Sequence, residues 1–207
     1  MAERLRNSMK PVADDPIADP VSNVPVVNIA NILTVFRIVL VPVFLAALFA
    51  GDGHESGWRI AAWAVFAIAA ITDRYDGRIA RNRGLITDFG KMADPIADKA
   101  LIGSALIGLS LLGDLPWWIT AVIIAREVGV TLLRFWVIRH GVIPASRGGK
   151  LKTLLQVIAI GLYILPLPGA VHWVAVAVMV TAIVATIVTG LDYVWRALQL
   201  RSAGRRA

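Results

Sequence analysis

Four aspartates carry most of the chemistry this chain can do. In the stretch TDRYDGRIARNRGLITDFGKMADPIADKA, residues 72–100, Asp73 and Asp76 stand three apart and Asp94 and Asp98 four apart. On helices, both spacings put the paired side chains on one face. The first pair ends a long apolar run and the second begins another, with a turn around Gly84 between them. An antiparallel hairpin would gather all four carboxylates at one membrane boundary. An aspartate at the centre of a membrane helix costs about 2.5–3.5 kcal/mol, so four approach ~10 kcal/mol before their repulsion is added. Divalent cations relieve both costs. An all-oxygen donor set suits Mg²⁺ or Mn²⁺ rather than zinc or copper. Two ions bridged by carboxylates would hold and polarise a diphosphate.

The neighbours of the acids fit that chemistry. Gly77 and Ala80 keep the helix surface thin one turn from the carboxylates, and Gly90 does the same on the facing helix. A nucleotide backbone can therefore approach closely. Arg81 offers a planar donor fork suited to phosphate. The competing reading is a salt-bridge network tying two helices together, with Gly77 and Ala80 as packing residues. Four acids and two small residues at these offsets weigh against it.

The elements that must position these residues are apolar helices. The chain has 207 residues, 57% hydrophobic and 17% charged, with a mean hydropathy of +0.71. Soluble domains carry about 45–50% apolar residues and about 25% charge, so this chain lacks the polar surface to enclose its own apolar residues. That composition excludes a disordered protein and argues against a soluble globule. Six apolar stretches, near 32–50, 58–83, 89–112, 116–138, 150–165 and 171–198, are separated by breakers such as Gly51-Asp52-Gly53, Gly113-Asp114 and Pro166 to Gly169. A membrane span needs about 20 residues. The expected fold is all-α: a polytopic membrane protein of six transmembrane helices with a metal site on the cytoplasmic side.

Residues 1–27 form a polar arm broken by Pro11, Pro16, Pro20 and Pro25, and with no apolar stretch and cleavage site near Met1 it is not expected to act as a secretory signal peptide. The arm is expected to be disordered or to lie on the membrane surface. Residues 28–200 form the helical domain, and 201–207 a basic tail. There is no cysteine, hence no disulfide or thiolate metal site.

Charge sets the orientation. The arm with Arg37, the second and fourth interhelical loops with their flanking helix ends, and the tail hold 20 of the 21 Lys and Arg residues. The exception, Arg59, lies beside the first opposite-side loop. By the positive-inside rule both termini are cytoplasmic, in a bacterial-type inner membrane. The excess positive charge meets anionic headgroups, so nucleic acid is not needed to explain a net charge of +7.

The pattern Asp73-x2-Asp76-Gly77-x2-Ala80-Arg81-x8-Gly90-x3-Asp94-x3-Asp98 resembles the signature of the CDP-alcohol phosphatidyltransferases at every fixed position. The resemblance covers nearly the whole chain after the arm, because those enzymes have six transmembrane helices. It implies transfer of a phosphatidyl or similar group from a CDP-linked donor to an alcohol, with release of CMP. It makes Asp73, Asp76 and Asp94 metal ligands, and Asp98 a ligand, the general base, or both in turn. Gly77, Ala80, Arg81 and Gly90 would line the CDP site. The cofactor implied is Mg²⁺ or Mn²⁺, as two ions. The family is commonly homodimeric, which extends that expectation to this chain.

Three further segments bear on the alcohol. Asn28-x2-Asn31-Ile32-Leu33-Thr34-x2-Arg37 opens the first helix, Ala125-Arg126-Glu127-x6-Arg134 lies on the fourth, and Ser146-x2-Gly149-Lys150-x-Lys152-Thr153 opens the fifth. All bring cations to the cytoplasmic side, as a phosphorylated acceptor in a partly dry site requires. They resemble the family branch that uses CDP-diacylglycerol as donor and sn-glycerol 3-phosphate as acceptor in phospholipid biosynthesis. Arg126, Lys150 and Lys152 are the expected acceptor-phosphate ligands, followed by Arg134 and Arg147. Each alone is equally a membrane anchor, and only the clustering favours a site. Glu127 is expected to orient Arg126 as an ion-pair partner.

Other members of the family use inositol phosphate, or phosphatidylglycerol in a CDP-diacylglycerol-dependent cardiolipin synthesis. A cation transporter is the reading from another class. It would need carboxylates near the midplane, whereas these cluster at the cytoplasmic boundary. His54, His140 and His172 have no partner at metal-ligand spacing. Trp63, Trp117, Trp118, Trp136, Trp173 and Trp195 fit interfacial belts or packing, and Gly103, Ser104 and Gly108 fit helix contact.

Overall fold

The computed structural model describes residues 28–83, 88–137 and 147–204. The N-terminal arm, His140 and Ser146 lie outside these residues. Among the described residues there are six α-helices and no strand: α1 (Ile29–Phe49), α2 (Ser56–Arg83), α3 (Asp88–Leu111), α4 (Trp117–Val137), α5 (Arg147–Ile164) and α6 (Gly169–Gly204).

Local sequence explains where the helices begin and end. Asn28, in extended conformation, caps α1 by accepting the Asn31 N–H at 3.0 Å, which satisfies one of the orphan donors of the first turn. After α1 the chain turns through a short 3₁₀ segment, Gly51–Gly53, where Gly51, Asp52 and Gly53 all have positive φ. Two glycines make that left-handed path inexpensive. At the end of α3, Gly113 has φ +80° and the Asp114 N–H donates to the Leu109 carbonyl, the pattern of a Schellman cap.

Two prolines sit inside helices rather than ending them, Pro42 in α1 and Pro95 in α3. Helices packed in a membrane tolerate proline because neighbouring groups satisfy the freed carbonyl. α5 starts at Arg147, ahead of the expected 150, and α6 runs on through 201–204.

The core draws on every helix: Phe44 and Leu48 from α1, Phe66 from α2, Leu106 and Leu109 from α3, Ile123 from α4, Ile160 and Ile164 from α5, and Met179 from α6. Among the described residues, α1 contacts both α2 and α3 more extensively than those two contact each other. Among the described residues α1 thus packs against both arms of the expected α2–α3 hairpin. Gly108 permits that packing, since a Cβ there would lie 2.7 Å from Leu48 Cδ2. α6 packs mainly on α5 and α4.

One end of the bundle is closed by a polar latch. Arg59, buried at the start of α2, donates to Asp114 at 2.7 Å, to the Tyr163 carbonyl at 2.8 Å and to the Gly53 carbonyl at 3.3 Å. His54 adds a 3.4 Å contact to Asp114, and the His172 ring meets Tyr163 edge-on at 5.4 Å. The start of α2 thus lies beside the ends of α3 and α5, which makes consecutive helices antiparallel. The aspartate end of α2 is at the opposite end of the bundle.

The outer surface is apolar, with Leu132, Leu191 and Trp173 each more than 60% exposed. A surface of this kind is unusual for a soluble monomer and suits hydrocarbon contact. Among the described residues, two helical segments are long and apolar enough to cross a membrane, Asn31–Phe49 and Gly169–Gln199. The expected belt residues Trp63, Trp117, Trp118, Trp136, Trp173 and Trp195 are all exposed.

Candidate functional site

At the end away from the latch, ionisable side chains from five helices converge. Arg37 of α1 is fully buried and its Nη1 lies 2.5 Å from Asp73 Oδ1 of α2. Asp98 of α3 is half-buried and lies within electrostatic range of Asp73, of Arg37, of Lys99 and of Glu127 on α4. Glu127 Oε1 accepts from its neighbour Arg126 at 3.1 Å and from Lys152 of α5. Lys152 is 2% exposed, so its charge is compensated inside the protein rather than by water.

Two further contacts extend this polar belt. Lys99 Nζ donates to Thr131 of α4 at 3.0 Å, and Arg126 Nη2 donates to Thr189 of α6 at 3.1 Å. Beside it, Gln156 of α5 donates to Thr186 of α6 at 3.0 Å, both side chains being buried. All six helices thus contribute to one belt among the described residues.

Helical geometry sets where the four acids stand along their helices. Asp73 and Asp76 lie on α2, and Asp94 and Asp98 on α3, so each pair falls on one helix face. Gly77, Ala80 and Arg81 lie on α2 and Gly90 on α3 by their backbones. The side chains of Asp76, Asp94 and Arg81, and those of Arg134 and Arg147, lie outside the described residues. Of the other expected site residues, Lys152 and Arg126 face each other across Glu127, whereas Lys150 is exposed. The expected pairing of Glu127 with Arg126 is present, and the same oxygen also receives Lys152.

A divalent cation fits the donor chemistry. Asp73 and Asp98 bring carboxylate oxygens from two helices into one electrostatic neighbourhood, and such oxygens are ligands for Mg²⁺ or Mn²⁺. Two anions that repel each other in a partly dry site are a place where added positive charge is stabilising. Among the described residues no group of three or more metal-ligating side chains occurs.

The α6 residues were not legible from sequence. Thr186 and Thr189 stand three apart in a long apolar stretch, and their only signal is a hydroxyl pair on one helix face. In the sequence Arg37 carries two signals, a charge that sets orientation and a place in the helix-opening motif. Its fully buried pairing with Asp73 required the packing of α1 against α2.

Comparison with known proteins places the chain. The sequence profile named CDP-alcohol phosphatidyltransferase matches residues 27–188. A probable phosphatidylglycerophosphate synthase of Mycobacterium tuberculosis (strain H37Rv) is 64% identical over 174 residues, covering 84% of this chain and 83% of its own. The CDP-diacylglycerol–glycerol-3-phosphate 3-phosphatidyltransferase of Bacillus subtilis is 37% identical, covering 83% of this chain and 97% of its own. That of Escherichia coli K12 is 35% identical, covering 86% and 95%. With the acid pattern, the all-helical bundle and these matches in agreement, the chain belongs to the CDP-alcohol phosphatidyltransferase family.

Proposed function

We propose that this chain transfers the phosphatidyl group of CDP-diacylglycerol to the primary hydroxyl of sn-glycerol 3-phosphate, giving phosphatidylglycerophosphate and CMP. The observation that carries this reading is the junction of two charge clusters in one belt. Asp73 and Asp98 form the anionic side, and Arg126 and Lys152, paired through Glu127, form the cationic side. A donor diphosphate and an acceptor phosphate need these two environments next to each other. The names of the relatives agree with this acceptor.

In this reading Asp73, Asp76, Asp94 and Asp98 hold Mg²⁺ or Mn²⁺, as two ions, which would polarise the diphosphate and stabilise charge on the departing CMP. Gly77, Ala80, Arg81 and Gly90 line the donor site. Arg126, Lys150 and Lys152, with Arg134 and Arg147, bind the acceptor phosphate. Asp98 accepts the proton of the attacking hydroxyl. The new bond joins that oxygen to the phosphorus bearing diacylglycerol, and the bond from that phosphorus to the CMP oxygen breaks. All six helices span the membrane with both termini in the cytoplasm, in a multi-pass inner-membrane arrangement. Residues 1–27 remain a polar arm, 28–200 the catalytic domain and 201–207 the basic tail.

The test is release of radiolabelled CMP from CDP-diacylglycerol by the purified protein, with each candidate acceptor supplied separately. Turnover is expected with glycerol 3-phosphate and not with inositol phosphate, inositol or phosphatidylglycerol. Chelation should abolish it, and Mg²⁺ or Mn²⁺ should restore it. Turnover confined to another alcohol would keep the family and overturn the acceptor.

A further inference from the structure

Arg126 is held from a direction that the motif on its own helix does not account for. Its guanidinium bridges two elements: Nη1 reaches Glu127 of α4 at 3.1 Å, and Nη2 reaches Thr189 of α6 at 3.1 Å. The Thr189 hydroxyl is itself fixed, because it donates to the Ala185 carbonyl at 2.7 Å with the Thr186 carbonyl at 3.2 Å. With its proton committed to its own helix, the oxygen presents a lone pair to the arginine.

The next residue, Gly190, supplies room. A Cβ at that position would lie 3.2 Å from Arg126 Cγ and 3.7 Å from Nε. The arginine stem therefore lies against the bare backbone of α6. The Arg126 side chain is 16% exposed, and its Nε is buried with no hydrogen-bond partner among the described residues. Only two of the five guanidinium N–H donors are engaged by the contacts to Glu127 and Thr189, and a buried donor left unmade is costly. An anionic ligand would satisfy it.

We propose that Thr189 and Gly190 form a seat on α6 that positions Arg126 for the acceptor phosphate, making α6 part of acceptor recognition. The inference rests on the glycerol 3-phosphate reading above. Thr189 and Gly190 are positioning residues. They touch the arginine, not the substrate, and they hold its guanidinium beside Glu127 and Lys152. Pre-setting a long side chain in this way removes the ordering cost that binding would otherwise meet.

The experiment is steady-state kinetics on the full-length protein in detergent with CDP-diacylglycerol and glycerol 3-phosphate. Thr189→Val keeps the side-chain shape and removes the acceptor oxygen. It should raise the acceptor KM by about 5- to 10-fold while the donor KM and kcat stay within about twofold. Thr189→Ser, which keeps the hydroxyl, should restore wild-type values. Gly190→Ala should raise the acceptor KM through the Cβ that displaces the arginine stem, and it serves as an independent variant if Thr189→Val folds poorly. In an Arg126→Ala background the Thr189→Val effect should vanish, because contacting residues couple in a double-mutant cycle.

An unchanged acceptor KM in both Thr189→Val and Gly190→Ala would overturn the seat. So would a parallel rise of both KM values, or a Thr189→Val effect that persists without Arg126. The underlying reading fails differently. Wild-type protein inactive toward glycerol 3-phosphate, or Arg126→Ala with an unchanged acceptor KM, would remove the pocket itself, and the seat with it.

Discussion

Asp98 is the residue on which the proposed chemistry turns. It is half-buried, faces Asp73 and Glu127 as fellow anions, and lies near the cations Arg37 and Lys99. A carboxylate so placed can take a proton from a hydroxyl brought in beside it, and removing a positioned base costs about 10²-fold or more in rate. Asp98→Asn should show that loss in CMP release, with metal binding partly retained when titrated by calorimetry. An equal collapse of metal binding would make Asp98 chiefly a ligand. The four acids were legible from their spacing, because residues three and four apart meet on any helix. The pairing of Glu127 with Lys152 was not. It joins residues 25 apart in sequence on two helices, and no periodicity reports such a contact.

At the scale of elements, the bundle is secured at two ends by different means. The end that carries the candidate site is a belt of ion pairs, and the other is the latch around Arg59, which ties α2 to the loop after α1, the turn after α3 and the end of α5. Removing one partner of a buried ion pair leaves an uncompensated charge, which costs about 3 kcal/mol or more. Asp114→Ala should therefore lower the unfolding temperature in detergent, while both KM values at the distant site remain unchanged. A shift in KM equal to that seen for site variants would join the two ends functionally. Sequence marked Arg59 only as the basic residue on the other side. Its burial depends on the loop after α1, the turn after α3 and the end of α5 meeting around it, which only tertiary packing brings about. Helix positions were readable to within a few residues from apolar runs and glycine breakers. Pro42 and Pro95 lie inside helices rather than at their ends, so these two prolines did not mark helix boundaries.

For the whole molecule, antiparallel neighbours and an even number of helices put the start of α1 and the end of α6 at the same end of the bundle. Arg37, Lys99, Arg126, Lys150 and Lys152 lie on the helix segments toward that end, so the positive-inside rule predicts that it faces the cytoplasm. The chain has no cysteine, which makes single-cysteine labelling unambiguous. Asp52→Cys and Gly169→Cys should react with a membrane-impermeant maleimide on intact cells, and Ser202→Cys only after permeabilisation. The reverse pattern would invert the orientation.

What the amino-acid sequence determined by itself is local or compositional: apolar helices, an excess of positive charge on one side, and four carboxylates in two helical pairs with small residues beside them. These follow from helix period and transfer free energy, which act over a few residues. The tertiary structure decided which charges face each other. It packed α1 against both arms of the α2–α3 hairpin, buried Arg37 against Asp73, paired Lys152 with Glu127, and set Arg126 on Thr189 and Gly190 of α6. Ionised side chains that are costly to bury alone become stable in each other's company. Which partner each one finds depends on helix order and rotation, and those are properties of the packed bundle.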